Sequence, residues 1–225
     1  MTIKNKAKIL IVDDHPVVRQ GLRMLITDDP ALMVCGEADN AADCISAVEK
    51  LLPDMVLTDI SLNGTDGIEL TKEVRQINPN IPILVFSIHG EDLYAERALA
   101  AGANGYVMKQ ENPDVLLHAI HKIIAGDIFL STEMTSRVLR KMSGNQTSTD
   151  ESPSSSVASL SDRELEVFEL IGSGLSTRRI AEKLNLSIKT IETYRIHIKE
   201  KLALHDATEL THHAVHWVEV GSKHQ

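Results

Sequence analysis

Two hydrophobic patterns divide the chain. In the first part, short apolar runs alternate with stretches in which apolar residues recur at helical spacing. The apolar runs, which we interpret as strands, cover residues 7–12, 33–38, 54–59, 81–87 and 105–109, and the helical stretches cover 16–28, 41–52, 66–77, 91–102 and 112–126. Strands that are apolar throughout and separated by helices are typical of parallel sheets covered on both faces. The pattern therefore predicts an α/β domain with a doubly wound parallel sheet.

The second part shows only helical spacing, and a polar stretch separates it from the first. Residues 143–159 consist mostly of Ser, Thr, Asn, Gln, Asp and Pro, a composition that favours a flexible linker. Helices are predicted at 161–172, 176–184, 187–202 and 206–220, the first opened by a Ser161–Glu164 capping box. We expect a first domain at 1–128, a linker at 129–158 and a smaller all-α domain at 159–225.

Composition places the 225-residue chain among ordinary globular proteins, with 43% hydrophobic and 24% charged residues. No apolar run is long enough to cross a bilayer, and the N-terminus lacks the pattern of a signal peptide. Cys35 and Cys44, the two cysteines, favour reduced thiols over a disulfide framework. These features predict a cytoplasmic protein with no membrane partner.

The net charge of −9 argues at first against a nucleic-acid partner, but the charge is unevenly distributed. Residues 1–156 hold 14 Lys and Arg against 22 Asp and Glu, whereas residues 157–225 hold 9 against 10. Within the second part, residues 176–201 hold 7 basic and 3 acidic side chains. Because a phosphate backbone responds to the local charge, this basic stretch keeps DNA open as a partner.

Acidic residues follow two of the predicted strands. Asp13 and Asp14 come after the first strand and Asp59 ends the third, while Ser87 and Lys109 end the fourth and fifth. Each residue taken alone is more often a solvated turn or surface residue. Binding sites of parallel α/β sheets form beyond the carboxyl ends of the strands, so neighbouring first and third strands would bring the three acids together.

Three adjacent carboxylates repel one another unless a cation or proton intervenes. Carboxylate oxygens without a Cys or His at a strand end favour a hard cation such as Mg²⁺. A lysine and a hydroxyl facing the acids add donors for phosphate oxygens, and a carboxylate in such a site can act as a nucleophile to form an aspartyl phosphate. The strand ends therefore indicate phosphoryl chemistry with Mg²⁺.

Four segments of the first domain resemble the receiver domain of two-component response regulators: ILIVDDHPVVRQGL, DMVLTDISLNGTDGIEL, ILVFSIHG and AGANGYVMKQ. The resemblance covers residues 7–127. It implies a flavodoxin-like (βα)5 fold with strand order 2-1-3-4-5. Gln110 stands where proline commonly follows the lysine, so no cis peptide is assumed there.

The receiver resemblance also implies roles for individual residues. Asp59 is the phosphoacceptor; Asp14, Asp59 and the backbone carbonyl of Ser61 hold Mg²⁺, with Asp13 acting through water. Ser87 and Lys109 contact the phosphoryl group, and Tyr106 swings inward when Ser87 is drawn to it; the alternative for Tyr106 is a partly buried aromatic at the sheet edge. Ser61 and His89 are expected to flank the water that hydrolyses the phosphoryl group.

The helical domain contains two short helices joined through Asn185 and Leu186, as in a helix-turn-helix. In the second helix, Ile191, Tyr194, Ile198 and Leu202 form the predicted buried face. A helix-turn-helix places the early residues of its second helix in the major groove. The expected DNA contacts are phosphates for Lys189, Thr190, Arg178 and Arg179, base edges for Glu192, Thr193 and Ile196, and a flanking position for His197.

This domain resembles the LuxR-type helix-turn-helix of the NarL/FixJ subfamily, through LSDRELEVFELIGSGLSTRRIAEKL and LSIKTIETYRIHIKEKL, over residues 159–220. The resemblance implies dimerisation through the last helix and binding to paired DNA half-sites. That helix also carries His212 and His216 at a spacing that metals can use, for which a solvated or interface face is the favoured interpretation.

The sequence therefore predicts a transcription regulator that a sensor histidine kinase phosphorylates on Asp59, and that dimerises and binds DNA. It is not expected to be an enzyme. One alternative is a receiver whose helical domain binds a protein. An aspartate-nucleophile phosphatase is a weaker one, because such enzymes usually carry a second Asp where this chain has Ser61. A dinucleotide-binding protein is disfavoured, since no G-x-G-x-x-G follows the first strand.

Overall fold

The computed structural model describes residues 6–62, 65–142, 157 and 159–221, which belong to two compact units, Met1–Gln146 and Thr147–Gln225. The strands of the first unit are β1 Ala7–Val12, β2 Leu32–Ala38, β3 Met55–Thr58, β4 Ser61–Leu62, β5 Thr65–Asp66, β6 Ile83–Ser87 and β7 Gly105–Met108. Its helices are α1 Pro16–Asp28, α2 Ala41–Leu51, α3 Gly67–Ile77, α4 Glu91–Ala100, α5 Pro113–Ile124 and α6 Thr132–Met142.

The main sheet has five parallel strands in the order β2-β1-β3-β6-β7. Counted along the chain without the two-residue strands, this is the order 2-1-3-4-5, so the predicted fold class is confirmed. The two short strands β4 and β5 form a separate antiparallel pair directly after β3, which the sequence pattern did not predict. The chain reverses direction there before α3 begins.

Alternate residues of the central strands enter two hydrophobic cores, one on each face of the sheet. On one face, Ile9, Ile11 and Leu57 pack with side chains of α1 and α5. On the other, Leu10, Val12 and Val56 pack with side chains of α2 and α3. Burial on both faces explains why the strands read as continuous apolar runs, and it fixes the carboxyl ends of β1 and β3 at one edge of the sheet.

Local hydrogen bonds define where several of these helices begin. The side chains of Asn40, Asp66 and Asn112 accept from backbone N–H groups in the first turns of α2, α3 and α5. Such caps satisfy donors that the helix itself leaves free. The Asp66 cap fixes the start of α3, shortly after Asp59 at the end of β3.

The expected linker, residues 129–158, contains an additional helix, α6. Phe129, which precedes α6, forms a bridge with Gly105 of β7. The sequence analysis missed α6 because its residues are mostly polar, although Met134, Val138 and Met142 recur at helical spacing. The polar stretch 143–156 lies outside the described residues, and the predicted domain bounds stay predictions.

In the second unit, four helices are described: α7 Asp162–Gly172, α8 Thr177–Lys183, α9 Ile188–Lys201 and α10 Ala207–Gly221. Both hydrogen bonds of the predicted Ser161–Glu164 capping box are present. The buried core of the second unit includes Leu165, Phe168, Ile171, Ile180, Ile191, Ile198, Leu210 and Ala214. Among the described residues of both units, no helix has the length and apolar character needed to cross a membrane.

Candidate functional site

Three carboxylates meet where β1 and β3 end. These strands are parallel neighbours with Val12 opposite Thr58, and the Asp59 N–H donates to the Val12 carbonyl at 2.9 Å. The register therefore brings Asp59 beside Asp13 and Asp14. Ligand atoms of these three acids and of His15 all lie within 4.8 Å of one another.

Lys109, at the end of β7, joins two of the acids. Its Nζ donates to Asp13 Oδ2 at 2.6 Å and to Asp59 Oδ2 at 2.7 Å. The backbone N–H of Lys109 donates to the Ser87 carbonyl at 2.8 Å, which ties the ends of β6 and β7 together. The other Asp59 oxygen, Oδ1, accepts from the Ile60 N–H at 2.7 Å. Asp59 is buried, and these hydrogen bonds to both of its carboxylate oxygens fix its orientation.

Burial dominates the electrostatics of this cluster. It raises the pKa of Asp59, and the charge and hydrogen bond of Lys109 only partly oppose it. Burial also raises the pKa of Asp14, against the opposing charge of His15. For Lys109, burial acts to lower the pKa, but the Asp59 charge and the two carboxylate hydrogen bonds outweigh it and the pKa is raised. The cluster therefore favours a cation beside its carboxylates.

The position of Asp14 suits a metal ion. Asp14 Oδ1 is buried and accepts no hydrogen bond from the described residues, although His15 Nδ1 lies 2.7 Å away as an ion-pair neighbour. A buried carboxylate oxygen in this state is a ready ligand for a hard cation. His15 was not predicted as part of the cluster. Its position directly after the two acids was the signal that could have identified it.

A second group of contacts surrounds His89, which lies on the loop after β6, and includes Ser87, Ser61 and Tyr106. His89 donates its N–H to Ser87 Oγ at 3.4 Å and accepts the Tyr106 hydroxyl on its carbonyl at 2.8 Å. The His89 Nε2 lies 2.8 Å from Ser61 Oγ. Ser87 and Tyr106 are buried, with exposed fractions of 0% and 1%, so Tyr106 lies inward here and not partly exposed at the sheet edge.

Gly67, the first residue of α3, is a site residue that sequence reasoning missed. A Cβ at this position would lie 1.9 Å from the Asp59 carbonyl oxygen. The Gly67 N–H donates to the Ile60 carbonyl at 2.7 Å, so the backbone of α3 packs directly on the residues around Asp59. Only a residue without a side chain permits this approach.

In the second unit, α8 and α9 have the arrangement expected of a helix-turn-helix sequence. Asn185 in the connection has φ +52°, and Ser187 caps α9 by accepting from the Thr190 N–H at 3.0 Å. Ile191 and Ile198 are fully buried, Leu202 is buried and Tyr194 is partly buried, as predicted. The opposite face of α9 therefore points to solvent.

The predicted DNA-contacting residues lie mostly on exposed positions. Lys189, Glu192, Thr193, Ile196, His197, Arg178 and Arg179 are exposed, and Thr190 is half-buried. Some already have partners within the unit: the hydroxyls of Thr190 and Ser187 are 2.7 Å apart, and Arg178 pairs with Glu182. His197 lies 3.8 Å from Glu164. These residues lie on α8 and α9, the two helices of the helix-turn-helix.

The histidine spacing on α10 does not gather a cluster. His212 and His216 are exposed. Among the described residues, the group of side chains that could together hold a metal ion is Asp13, Asp14, His15 and Asp59. His213 instead packs its ring 5.9 Å from that of Phe168, and burial lowers its pKa, with the charges of His216 and His212 adding to that effect.

Two family models match the chain. Residues 9–121 match the response regulator receiver domain, and residues 158–214 match the bacterial regulatory proteins of the luxR family. Curated relatives include the response regulator GacA of Pseudomonas aeruginosa, 35% identical over 90% of this chain and 92% of that protein. The nitrate/nitrite response regulator NarL of Escherichia coli is 33% identical over 93% and 95%.

Solved structures give the same result. RcsB from Salmonella enterica serovar Typhimurium, bound to promoter rprA in the presence of phosphomimetic BeF3⁻, matches with a TM-score of 0.59 and 28% identity over 94% of this chain and 99% of that chain. A LuxR-family two-component response regulator from Aurantimonas matches with a TM-score of 0.58 and 37% identity over 62% and 99%. The chain therefore belongs to the two-component response regulators of the NarL/FixJ type, in which a receiver domain precedes a LuxR-type helix-turn-helix domain.

Proposed function

We propose that Asp59 accepts a phosphoryl group from a sensor histidine kinase. The observation that supports this most directly is the Asp59 carboxylate, which is buried at a strand end, held on one oxygen by Ile60 and on the other by Lys109. In the transfer, an Asp59 oxygen bonds to phosphorus while the P–N bond to the kinase histidine breaks, and the electron pair leaves with the imidazole.

Asp14, Asp59 and the Ser61 carbonyl would hold Mg²⁺, with Asp13 acting through water. The buried Asp14 Oδ1 and the oxygen-rich donor set fit this ion. When bound, Mg²⁺ supplies positive charge that offsets the charge developing on the transferred group. Lys109 then shifts its hydrogen bonds from Asp13 and Asp59 toward the phosphoryl oxygens.

Ser87 and Tyr106 convert the new charge into a change of conformation. Ser87 Oγ accepts a long hydrogen bond of 3.4 Å from His89, so its hydroxyl can turn to donate to a phosphoryl oxygen at little cost. Tyr106 is already buried in this structure, with its hydroxyl on the His89 carbonyl, so the switch proposed here does not use the inward swing that the receiver resemblance implies. Its ring stays buried while the loop at His89 moves with Ser87. The phosphoryl group thereby biases a two-state surface around β6 and β7.

The second unit acts as the DNA reader of a cytoplasmic transcription regulator. Lys189, Glu192 and Ile196 lie exposed on α9, where a major groove would meet a phosphate contact and two base-edge contacts. Thr190, Thr193, His197, Arg178 and Arg179 complete the proposed surface, and Thr190 and Arg178 exchange their internal partners for phosphate on binding. Since RcsB is seen as two dimers on two DNAs, we extend dimerisation and paired half-sites to this chain.

The salt dependence of the DNA-binding constant distinguishes a DNA-binding second unit from the alternative, a second unit that binds a protein. For the phosphorylated protein, log K against log salt should have a steep negative slope, which becomes shallower by about 1 in Lys189→Ala. Lys50→Ala, which removes an exposed charge from α2 of the other unit, should leave the slope unchanged. Equal affinity of Lys189→Ala and wild type at every salt concentration would contradict the proposed surface.

A further inference from the structure

The chain that follows α5 packs on the first unit through Phe129 and α6. Phe129 donates its N–H to the Asn104 carbonyl at 3.0 Å, and its own carbonyl accepts from the Tyr106 N–H at 3.1 Å. A Cβ on Gly105 would lie 2.6 Å from that Phe129 carbonyl oxygen, so the contact depends on glycine there. Phe129 is therefore anchored beside β7, the strand that carries Tyr106.

Helix α6 follows this anchor and packs on α4. Ser131 Oγ accepts from the Met134 N–H at 3.0 Å at the start of α6, and Met134 is 2% exposed. The Ser131 N–H donates to Glu91 Oε1 of α4 at 3.1 Å. Further along, Arg137 Nε lies 3.9 Å from Glu96 Oε1. The hydrogen bond to Glu91 and the long Arg137–Glu96 ion pair each contribute little net free energy, so a shift of the first turn of α4 can break them.

The loop that begins α4 is linked to the proposed phosphoryl switch. His89 is joined through its N–H to Ser87, through its carbonyl to Tyr106 and through its ring to Ser61. The same ring stacks on that of Tyr94 in α4, with centroids 4.6 Å apart. Gly90, the N-cap residue of α4, supplies no side-chain cap, and Tyr94 in the first turn of α4 is buried against the His89 ring.

We propose that α6 is a releasable latch on α4, held in the unphosphorylated protein and freed by phosphorylation of Asp59. This rests on the proposed function. When Ser87 Oγ turns to the phosphoryl group, it gives up the 3.4 Å bond from His89. The loop at residues 88–90 then shifts the first turn of α4, Glu91 loses the Ser131 N–H, and α6 leaves α4. The linker so released changes how the DNA-binding unit is tethered.

Hydrogen exchange of the full-length protein tests the latch. In wild type treated with acetyl phosphate and Mg²⁺, peptides from α6 should exchange about tenfold faster than before, while those from α2 keep their rate. Asp59→Asn under the same conditions should show no change in α6. Mass spectra of the same samples establish whether the phosphoryl adduct is present. Unchanged or slower α6 exchange in protein that carries the adduct would overturn the proposal.

A second variant tests the contact without phosphorylation. Glu91→Gln weakens the acceptor for the Ser131 N–H, so α6 should exchange faster in the untreated protein than in untreated wild type. Glu49→Gln, the same change at an exposed position of α2, is the matched control and should leave α6 exchange unchanged. If no adduct forms on Asp59, the proposed function fails, and the Glu91→Gln comparison still decides whether α6 is latched to α4. Equal α6 exchange in the Glu91→Gln protein and wild type would contradict the latch.

Discussion

The carboxylates of the strand-end cluster repel one another, and a cation beside them would offset that repulsion. Asp13, Asp14 and Asp59 are close enough to repel, and burial raises the pKa of Asp14 and Asp59. Lys109 offsets part of this by bonding to Asp13 and Asp59, whereas Asp14 has the exposed His15 beside it. A divalent ion beside Asp14 would supply the remaining positive charge.

Replacing Gly67 with alanine tests how closely α3 supports Asp59. Because the new Cβ would lie 1.9 Å from the Asp59 carbonyl oxygen, the backbone must move, and we expect a loss of about 1–3 kcal/mol in the free energy of unfolding. The rate of phosphoryl uptake should fall as well. Urea unfolding and time-resolved mass spectrometry measure the two effects.

Gly21→Ala is the matched control for this substitution. Gly21 lies inside α1, and a Cβ added there would have nothing within 4 Å, so alanine should stabilise the protein by up to about 1 kcal/mol through helix propensity. Phosphoryl uptake should not change. If Gly67→Ala were as stable and as reactive as wild type, α3 would not restrain Asp59 as the contact implies.

Ser61→Ala and His89→Ala should lengthen the lifetime of the phosphoryl group more than they affect its uptake. Their side chains are 2.8 Å apart, and in the proposed function they would orient the hydrolytic water, whereas the Ser61 backbone carbonyl is retained in the variant. We expect decay to slow about threefold or more, with initial uptake within about twofold of wild type. Decay rates that match wild type in both variants would reject this role.

The strand-end residues could be predicted from the sequence because each follows an apolar run whose end is fixed by burial. Asp59, Ser87 and Lys109 lie where the pattern placed them. His15 was missed although it directly follows the two acids, because hydrophobic spacing does not identify side chains that could bind a metal ion. The contact of Gly67 with Asp59 depends on the close approach of α3 to the end of β3, and that distance is set by three-dimensional packing and not by hydrophobic spacing.

Among the secondary-structure elements, α7 and α9 are joined by an ionic contact at Glu164. Its Oε2 accepts from the Ser161 N–H at 2.7 Å and from Lys201 Nζ at 2.6 Å. Burial acts to raise the pKa of Glu164, but the hydrogen bonds from Lys201 and Ser161 outweigh it and the pKa lies below its usual 4.5. The folded unit therefore binds this proton less tightly than the unfolded chain does.

A lowered pKa makes the contact sensitive to acid. The stabilisation from Glu164 is fully present above the unfolded pKa and is lost as the pH falls through the folded value. Urea midpoints followed by fluorescence of Trp217, the single tryptophan, should therefore fall more steeply below about pH 5 in wild type than in Glu164→Gln. Glu200→Gln, at an exposed position of α9, should keep the wild-type slope. Identical slopes in Glu164→Gln and wild type would show that Glu164 adds no acid sensitivity.

Elements with a continuous apolar face were predicted well, and those held by local or edge contacts were not. The five core strands and the four helices of the second unit follow their hydrophobic periods. The pair β4–β5 has only two residues per strand, too short for a period to appear. Helix α6 is largely polar and was assigned to the linker, although Met134, Val138 and Met142 recur at helical spacing and Met134 is buried.

For the molecule as a whole, net charge is a poor guide to the partner. The chain carries −9 overall, yet residues 176–201, which include α8 and α9, hold more basic than acidic side chains. Relatives such as GacA and NarL align over at least 90% of this chain, so the order of its two units is shared with them. In the proposed function, an acidic unit receives the phosphoryl group and a locally basic unit meets DNA.

The most direct measurement of the central claim is the mass of the intact protein after treatment with acetyl phosphate and Mg²⁺. The account predicts a single acid-stable, base-labile adduct of about 80 Da in wild type, the mass of one phosphoryl group. The adduct should be absent from Asp59→Asn and strongly reduced when EDTA replaces Mg²⁺. Wild-type protein that never gains the adduct, or an Asp59→Asn protein that gains it equally, would contradict the account.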